Sequence, residues 1–258
     1  MLLALDIGNT NIVAGIFDGE QLRAQWRLST RRDRTADELA GFLQVAFSAK
    51  DFRFADVDGV AISSVVPTLT PQAARLAANY FSCTPLIVGP DTDTGLINDY
   101  ENPRDVGADR LVNGVVAWRR FGTAVVIVDL GTALTVDAVS AAGHYLGGAI
   151  APGLQISTDA LFQAAARLPR VELKAPERTL GCNTIHSMQA GILFGYAGLV
   201  KELVARCVAE VREENDTVTV VATGGQSELL APLVPAIQHV DMQLTLDGLR
   251  LIWERNNY

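Results

Sequence analysis

The chain has 258 residues, 49% of them hydrophobic and 19% charged, which is enough apolar material for a sizeable core and too much for a disordered segment. A net charge of −8 and a pI near 4.9 argue against a nucleic-acid partner, because the basic clusters Arg31-Arg32-Asp33-Arg34 and Arg119-Arg120 are short and read as solvated surface. No apolar stretch reaches the ~18 residues of a membrane span, the N-terminus lacks a basic lead-in to its apolar run, and Cys83, Cys182 and Cys207 are too scattered for a disulfide framework or a zinc site. The expectation is a cytoplasmic protein with neither membrane nor nucleic-acid partner.

The first hundred residues alternate strand and helix signals. Apolar strands are expected at 2–5, 12–17 and 22–28, with Asp18-Gly19 as the hairpin turn between the last two. A helix starts near Thr35, where Thr35-Ala36-Asp37-Glu38 has the form of a capping box, and presents Leu39, Phe42, Leu43 and Ala46 on one face. A strand at 57–62, a helix at 69–81 and a strand at 85–88 complete the run. After an irregular segment, a helix carries Leu111, Val112, Val115 and Val116 as its apolar stripe.

A second run of the same kind begins at Ala124. Strands are expected at 124–128, 134–139 and 144–148, helices at 154–167 and 187–214, a strand at 218–222, and an amphipathic segment over 244–253. The runs read as copies. Leu5-Asp6-Ile7-Gly8-Asn9 aligns with Val128-Asp129-Leu130-Gly131-Thr132 at an offset of 123, which also sets Val13 on Val136. A duplicated β-hairpin domain follows, with bounds at 1–117 and 118–258.

Four segments carry chemistry. In Asp6-Ile7-Gly8-Asn9-Thr10-Asn11, Gly8 lets the backbone turn tightly beside a ligand, and successive N–H groups of such a turn cradle phosphate oxygens. Asp6, at its strand end, suits Mg²⁺, which takes oxygen ligands and keeps several waters. The same residues also fit an ordinary hairpin with an Asp at its turn. Asp129-Leu130-Gly131-Thr132-Ala133 repeats the arrangement, offering a second metal ligand and a hydroxyl for a phosphate. Thr223-Gly224-Gly225-Gln226 ends a strand in a glycine turn that could pass close to an adenosine, or simply connect a strand to a helix. In the segment from Tyr100 to Arg110, Asp109 and Arg110 fall in the first turn of a helix, where the dipole favours an anion; equally, Asp109 could serve only that helix start, with Arg110 facing solvent. Neither Gly-x4-Gly-Lys-Ser/Thr nor Gly-x-Gly-x-x-Gly occurs, against a P-loop kinase and a dinucleotide-binding Rossmann domain.

Asp6-Ile7-Gly8-Asn9-Thr10, Ile62-Ser63-Ser64-Val65-Val66-Pro67, Gly107-Ala108-Asp109-Arg110, Asp129-Leu130-Gly131-Thr132-Ala133, Gly147 to Gly153 and Asn183-Thr184 occur in order along the whole chain. Together they resemble the type III pantothenate kinases, of the sugar kinase, chaperone and actin superfamily. The resemblance implies an α/β fold of two duplicated actin-like (ribonuclease H-like) domains, each with a mixed five-stranded sheet and the nucleotide in the cleft between them. The activity it implies is ATP-dependent phosphorylation of pantothenate to 4′-phosphopantothenate, the first step of coenzyme A biosynthesis. By the same resemblance, Asp109 is the base; Asp6, Ile7, Gly8, Asn9, Thr10, Asn11, Ile12 and Val13, with Thr132, contact ATP, to which the Gly224 and Gly225 turn is added; and Asp129 holds K⁺ or NH₄⁺, in addition to the Mg²⁺ read above at Asp6. Tyr100, Gly107, Ala108, Asp109, Arg110 and Thr184 match pantothenate contacts, with Thr184 reaching across a homodimer. Two alternatives stay open: another small-molecule kinase of this superfamily, and a non-catalytic transcriptional accessory factor.

Overall fold

The computed structural model describes residues 1–212 and 217–257. It contains β1 (Leu2–Ile7), β2 (Asn11–Asp18), β3 (Gln21–Ser29), α1 (Ala36–Ser48), β4 (Gly59–Ser64), α2 (Thr70–Tyr80), β5 (Leu86–Ile87) and β6 (Ile97–Asn98). Then follow α3 (Ala108–Phe121), β7 (Ala124–Leu130), β8 (Ala133–Val139), β9 (His144–Pro152), α4 (Leu154–Ala164), α5 (Thr184–Val211), β10 (Val218–Thr223), α6 (Ser227–Leu230), β11 (His239–Val240) and α7 (Leu244–Asn257). The helix expected over 187–214 starts three residues earlier, and its expected end at Glu214 lies outside the described residues. Among the described residues no helix is long and apolar enough to cross a membrane.

The duplication is visible in the topology. The first sheet runs β3-β2-β1-β4-β5, and the second runs β9-β8-β7-β10-β11 with β6 added beside β9 as a sixth strand. In each, a hairpin strand pairs antiparallel with the central strand, and a later strand pairs parallel on its other side. The turns are not identical copies, however. Ile7 pairs with Ile12 across four turn residues, whereas Leu130 pairs with Leu134 across three. Asp6 therefore faces Val13 and Asp129 faces Thr135, so the offset of 123 drops to 122 beyond the turn. The expected equivalence of Val13 with Val136 is corrected accordingly.

Two compact units emerge. One holds residues up to Leu96, Tyr100–Val116 and the chain from Gln243 onward; the other holds Ile97–Asp99 and Ala117–Met242. This departs from the bounds 1–117 and 118–258 at the C-terminal end, because α7 packs with the first unit. There Leu246, Leu249 and Ile252 join Leu2, Ala4, Ala61 and Val112 in one buried cluster. Three glycines make room for the helix. A Cβ on Gly59 would lie 2.6 Å from the Trp253 ring, one on Gly15 2.8 Å from Leu246, and one on Gly248 2.5 Å from the Val112 carbonyl oxygen. No local pattern announces this packing, since it joins residues about 200 positions apart.

The other face of the first sheet is covered by α1 and α2. Leu3, Leu5, Ile7, Ile12, Val60 and Ile62 pack there against Leu39, Leu43, Phe47 and Leu76. The α1 capping box forms as expected: Thr35 Oγ1 accepts from the Glu38 N–H at 3.2 Å, and Glu38 Oε2 accepts from the Thr35 N–H at 2.8 Å. In the second unit, Ala124, Val126, Val128 and Leu130 of β7 bury against Leu193, Ala197, Val200 and Val204 of α5.

Candidate functional site

Strand alternation aims the first carboxylate. Leu3, Leu5 and Ile7 point to the α1 and α2 side, so Leu2, Ala4 and Asp6 point to the other, where Ala108 and Val112 of α3 lie. Asp6 is thereby set beside Asp109, in the first turn of α3. Its carboxyl is pushed up to about 7, chiefly by burial and then by the neighbouring Asp109 charge. Ser63, opposite Asp6 in the parallel β1–β4 pair, partly offsets that rise. Its fully buried hydroxyl makes no hydrogen bond of normal geometry.

The turn after Asp6 is closed by the Gly8 N–H donating to the Asn11 carbonyl at 3.0 Å. A Cβ on Gly8 would sit 3.1 Å from that same oxygen. Asn9 and Thr10 are exposed. Ile7 and Ile12 are core residues, so they offer a ligand their backbone alone. Thr30, at the exit of β3, clasps the turn from outside: its Oγ1 donates to the Gly8 carbonyl at 2.7 Å, and its N–H to the Thr10 carbonyl at 2.9 Å.

The segment from Tyr100 to Arg110 is shaped by local hydrogen bonds. Asn102 Oδ1 accepts from the Arg104 N–H at 3.4 Å, and Asn102 Nδ2 donates to Asp105 Oδ1 at 2.9 Å around a short 3-10 turn. Val106 and Ala108 are buried. Asp109 Oδ1 accepts from the Arg110 N–H at 2.8 Å. It also lies 2.6 Å from where a Cβ on Gly107 would stand, so only glycine leaves that carboxylate its place. Arg110 does not face solvent: it is 7% exposed, with its guanidinium 5.9 Å from the centre of the Tyr100 ring.

In the second unit the alternation of β7 turns Val126, Val128 and Leu130 into the core and Asp129 to the opposite face. Two glycines enclose its carboxylate. A Cβ would meet Asp129 Oδ1 at 3.0 Å from Gly131 and at 2.5 Å from Gly224, whose φ is +90°. Gly225 beside it is exposed. Thr132 is exposed on its turn, and its carbonyl accepts from the Gly153 N–H at 3.1 Å. Gly224→Ala is expected to lower the melting temperature of the chain by several degrees, since it adds a strained φ to a backbone clash, together on the order of 2 kcal/mol. Thermal unfolding of this variant checks it; an unchanged melting temperature would show that the Asp129 cradle is not closely packed.

Thr184 opens α5 behind Asn183, whose Oδ1 accepts from the His186 N–H at 2.9 Å. It lines an open groove of about 660 Å³ with Leu161, Cys182, Ser187 and Met188. The lining includes no residue of the Asp129 turn. The structure thus brings together Asp6, the Gly8 turn and the Asp109 loop in one unit, Asp129 and Gly224 in the other, and leaves Thr184 in a groove of its own. Ser63 and Thr30 were not singled out by sequence. The register that follows from β1 being the central strand would have pointed to Ser63, whereas the Thr30 contact depends on where β3 ends.

Both carboxylates fit cations. Asp6 is a hard oxygen ligand whose burial leaves its charge in need of a counter-charge, and the described residues hold no group of three or more His, Cys, Asp or Glu that could cage a metal. A carboxylate of this kind suits a hard cation that keeps several of its waters. A Cβ at Gly224 would stand 2.5 Å from Asp129 Oδ1, so the glycine leaves that carboxylate its room.

Residues 2–206 match the family model for type III pantothenate kinase. The type III pantothenate kinase of Pelobacter propionicus is 51% identical over 99% of this chain and 100% of its own. Among solved structures, a Campylobacter jejuni protein named as a Baf family transcriptional activator superposes with a TM-score of 0.61 at 20% identity, over 98% of both chains. The activator of 2-hydroxyisocaproyl-CoA dehydratase from Clostridium difficile, with bound ADPNP, does so with a TM-score of 0.55 at 14% identity, over 97% of this chain and 92% of that one. These structural likenesses establish the actin-like, sugar-kinase fold and nothing about activity.

Proposed function

Since this chain belongs to the type III pantothenate kinase family and phosphorylates pantothenate with ATP in coenzyme A biosynthesis, we propose that Asp109 positions the acceptor hydroxyl and takes its proton, that the Asp6 turn holds Mg·ATP, and that Asp129 holds a monovalent cation. The observation that carries this reading is the meeting of Asp6 and Asp109. A carboxylate at the end of a strand and its tight turn lies beside a second one at a helix start, which puts a candidate phosphate site and a candidate acceptor site in one unit.

Phosphoryl transfer passes through a loose transition state, so positioning and charge neutralisation carry most of the catalysis. Asp109 is held in place by the Arg110 N–H and by the absence of a side chain at Gly107. An ordinary Asp, with a pKa near ~3.9, cannot ionise an alcohol in advance, so the hydroxyl proton passes to Asp109 late, as the phosphoryl group arrives. Arg110, buried and stacked near Tyr100, offers a fixed cation to the pantothenate carboxylate. Exposed Asn9 and Thr10, with half-buried Asn11, present the edge of the first turn to ATP. Bound Mg²⁺ at Asp6 would neutralise triphosphate charge, which few cationic side chains of that turn can do, and Asp129 would hold K⁺ or NH₄⁺ in its own unit. Thr184 completes the pantothenate site within a cytoplasmic homodimer. Exposed Leu180 and Ile185 beside it, at 79% and 48%, suit burial against a second copy.

The test is ATP-dependent formation of 4′-phosphopantothenate with Mg²⁺ in potassium, ammonium and sodium salts. Product is expected in the first two, with the sodium rate lower by roughly tenfold or more, about 1.4 kcal/mol of lost transition-state stabilisation. Equal rates in all three would remove the monovalent cation from Asp129, and no product in any would remove the activity.

A further inference from the structure

The loop Thr30–Arg34 joins β3 to α1 and supplies a cluster of three arginines in an otherwise acidic chain. Its first residue does more than connect. Thr30 places two hydrogen bonds on the Gly8–Thr10 turn, one from its hydroxyl and one from its N–H. The middle of the loop is fixed as well, because Thr68 Oγ1 donates to the Arg32 carbonyl at 3.1 Å. The arginines then divide. Arg31 is paired with Glu38 at 2.7 Å, and Arg34 reaches the Ser29 carbonyl at 3.4 Å. Arg32 has an anchored backbone and an exposed side chain that makes no hydrogen bond or ion pair among the described residues. A cation that follows the Thr30 clasp by two residues, on an anchored backbone, is placed for an anion.

We propose that the Thr30–Arg34 loop is part of the polyphosphate site: Thr30 is a positioning residue that fixes the Gly8–Thr10 turn, and Arg32 pairs with the phosphates of ATP. This rests on the reading of the Asp6 turn as the ATP site. The chemistry favours it. A triphosphate is strongly anionic, the protein carries −8, and a guanidinium matches phosphate oxygens in a bidentate fork. Arg32 is exposed, so its contribution is screened by salt. Thr30 acts without touching the ligand, by holding the Gly8 and Thr10 carbonyls outward so that the turn's N–H groups stay aimed at the phosphates.

The experiment measures KM for ATP and for pantothenate in Arg32→Ala, Arg32→Lys, Thr30→Val, Thr30→Ser and Asp6→Asn, with thermal unfolding of each. Potassium is held constant while tetramethylammonium chloride varies ionic strength. Arg32→Ala is expected to raise KM for ATP about tenfold, with partial recovery in Arg32→Lys and a weaker salt dependence than wild type. Thr30→Val is expected to raise it severalfold, with recovery in Thr30→Ser, while KM for pantothenate stays within about twofold in all four. Unchanged KM for ATP in Arg32→Ala and Thr30→Val, alongside lost Mg·ATP binding in Asp6→Asn, overturns the inference and leaves the ATP site standing. Normal ATP binding in Asp6→Asn overturns the site and the inference with it. A change in Thr30→Val that follows its melting temperature and is not recovered by Thr30→Ser reduces Thr30 to a structural role and overturns that half.

Discussion

Replacing Asp109 with Asn is expected to lower turnover by roughly 10²–10⁴ while leaving KM for ATP nearly unchanged. Asn keeps the volume and can still accept the Arg110 N–H that Asp109 Oδ1 accepts at 2.8 Å, so the helix start and the loop keep their shape. What it loses is the capacity to take a proton from the acceptor hydroxyl. It also loses a negative charge beside Asp6, which relaxes the upward push on the Asp6 carboxyl. A variant that binds ATP normally and makes no product fits a residue acting in the chemical step. Near-wild-type turnover in steady-state assays would take Asp109 out of that step.

The second large effect is on stability, and its sign is opposite. Asp6 is pushed up to about 7 in the folded chain, from 3.8 when exposed. Between those values the unfolded chain has released its proton and the folded chain still holds it, so raising the pH favours unfolding. The contribution is fully present below about pH 4 and is lost as pH climbs through 7. At about 1.4 kcal/mol per pH unit, the loss amounts to roughly 4 kcal/mol at most. Asp6→Asn carries no such liability. Without ligands it is expected to melt several degrees higher than wild type at pH 8 and to match it at pH 4, while losing Mg·ATP binding. Melting curves at the two pH values decide it, and parallel pH profiles for both proteins would mean that Asp6 is not held in a destabilising site. The site thus costs the fold stability, which a bound cation would return by mass action.

Much of this was legible beforehand because the signals are local. Thr35-Ala36-Asp37-Glu38 caps α1 through residues three apart, and the repeated Asp-x-Gly turns each lie between strands that announce themselves by apolar runs. The encounter of Asp6 with Asp109 was legible only through the family resemblance. It depends on which face of β1 meets α3, and that is settled by packing between segments a hundred residues apart. Ser63 lies within Ile62-Ser63-Ser64-Val65-Val66-Pro67, yet its meaning comes from being opposite Asp6 across a parallel pair. The one-residue difference between the two turns was hidden as well, since Val136 and Thr135 are both compatible with a strand and register alone distinguishes them.

The placement of α7 bears on how the chain is made. The ribosome releases β1 through α2 first, but this unit lacks its last helix until all of the other has emerged. The residues of α7 that fill its core, Leu246, Leu249 and Ile252, follow the complete run from Ala117 to Met242. During synthesis Gly15, Gly59 and Val112 wait with the surface that α7 will cover still wet. The later-starting unit can therefore finish first, reversing the usual N-to-C order of domain folding. Chaperones that bind nascent chains would meet the amino-terminal sheet as the long-lived unfinished surface.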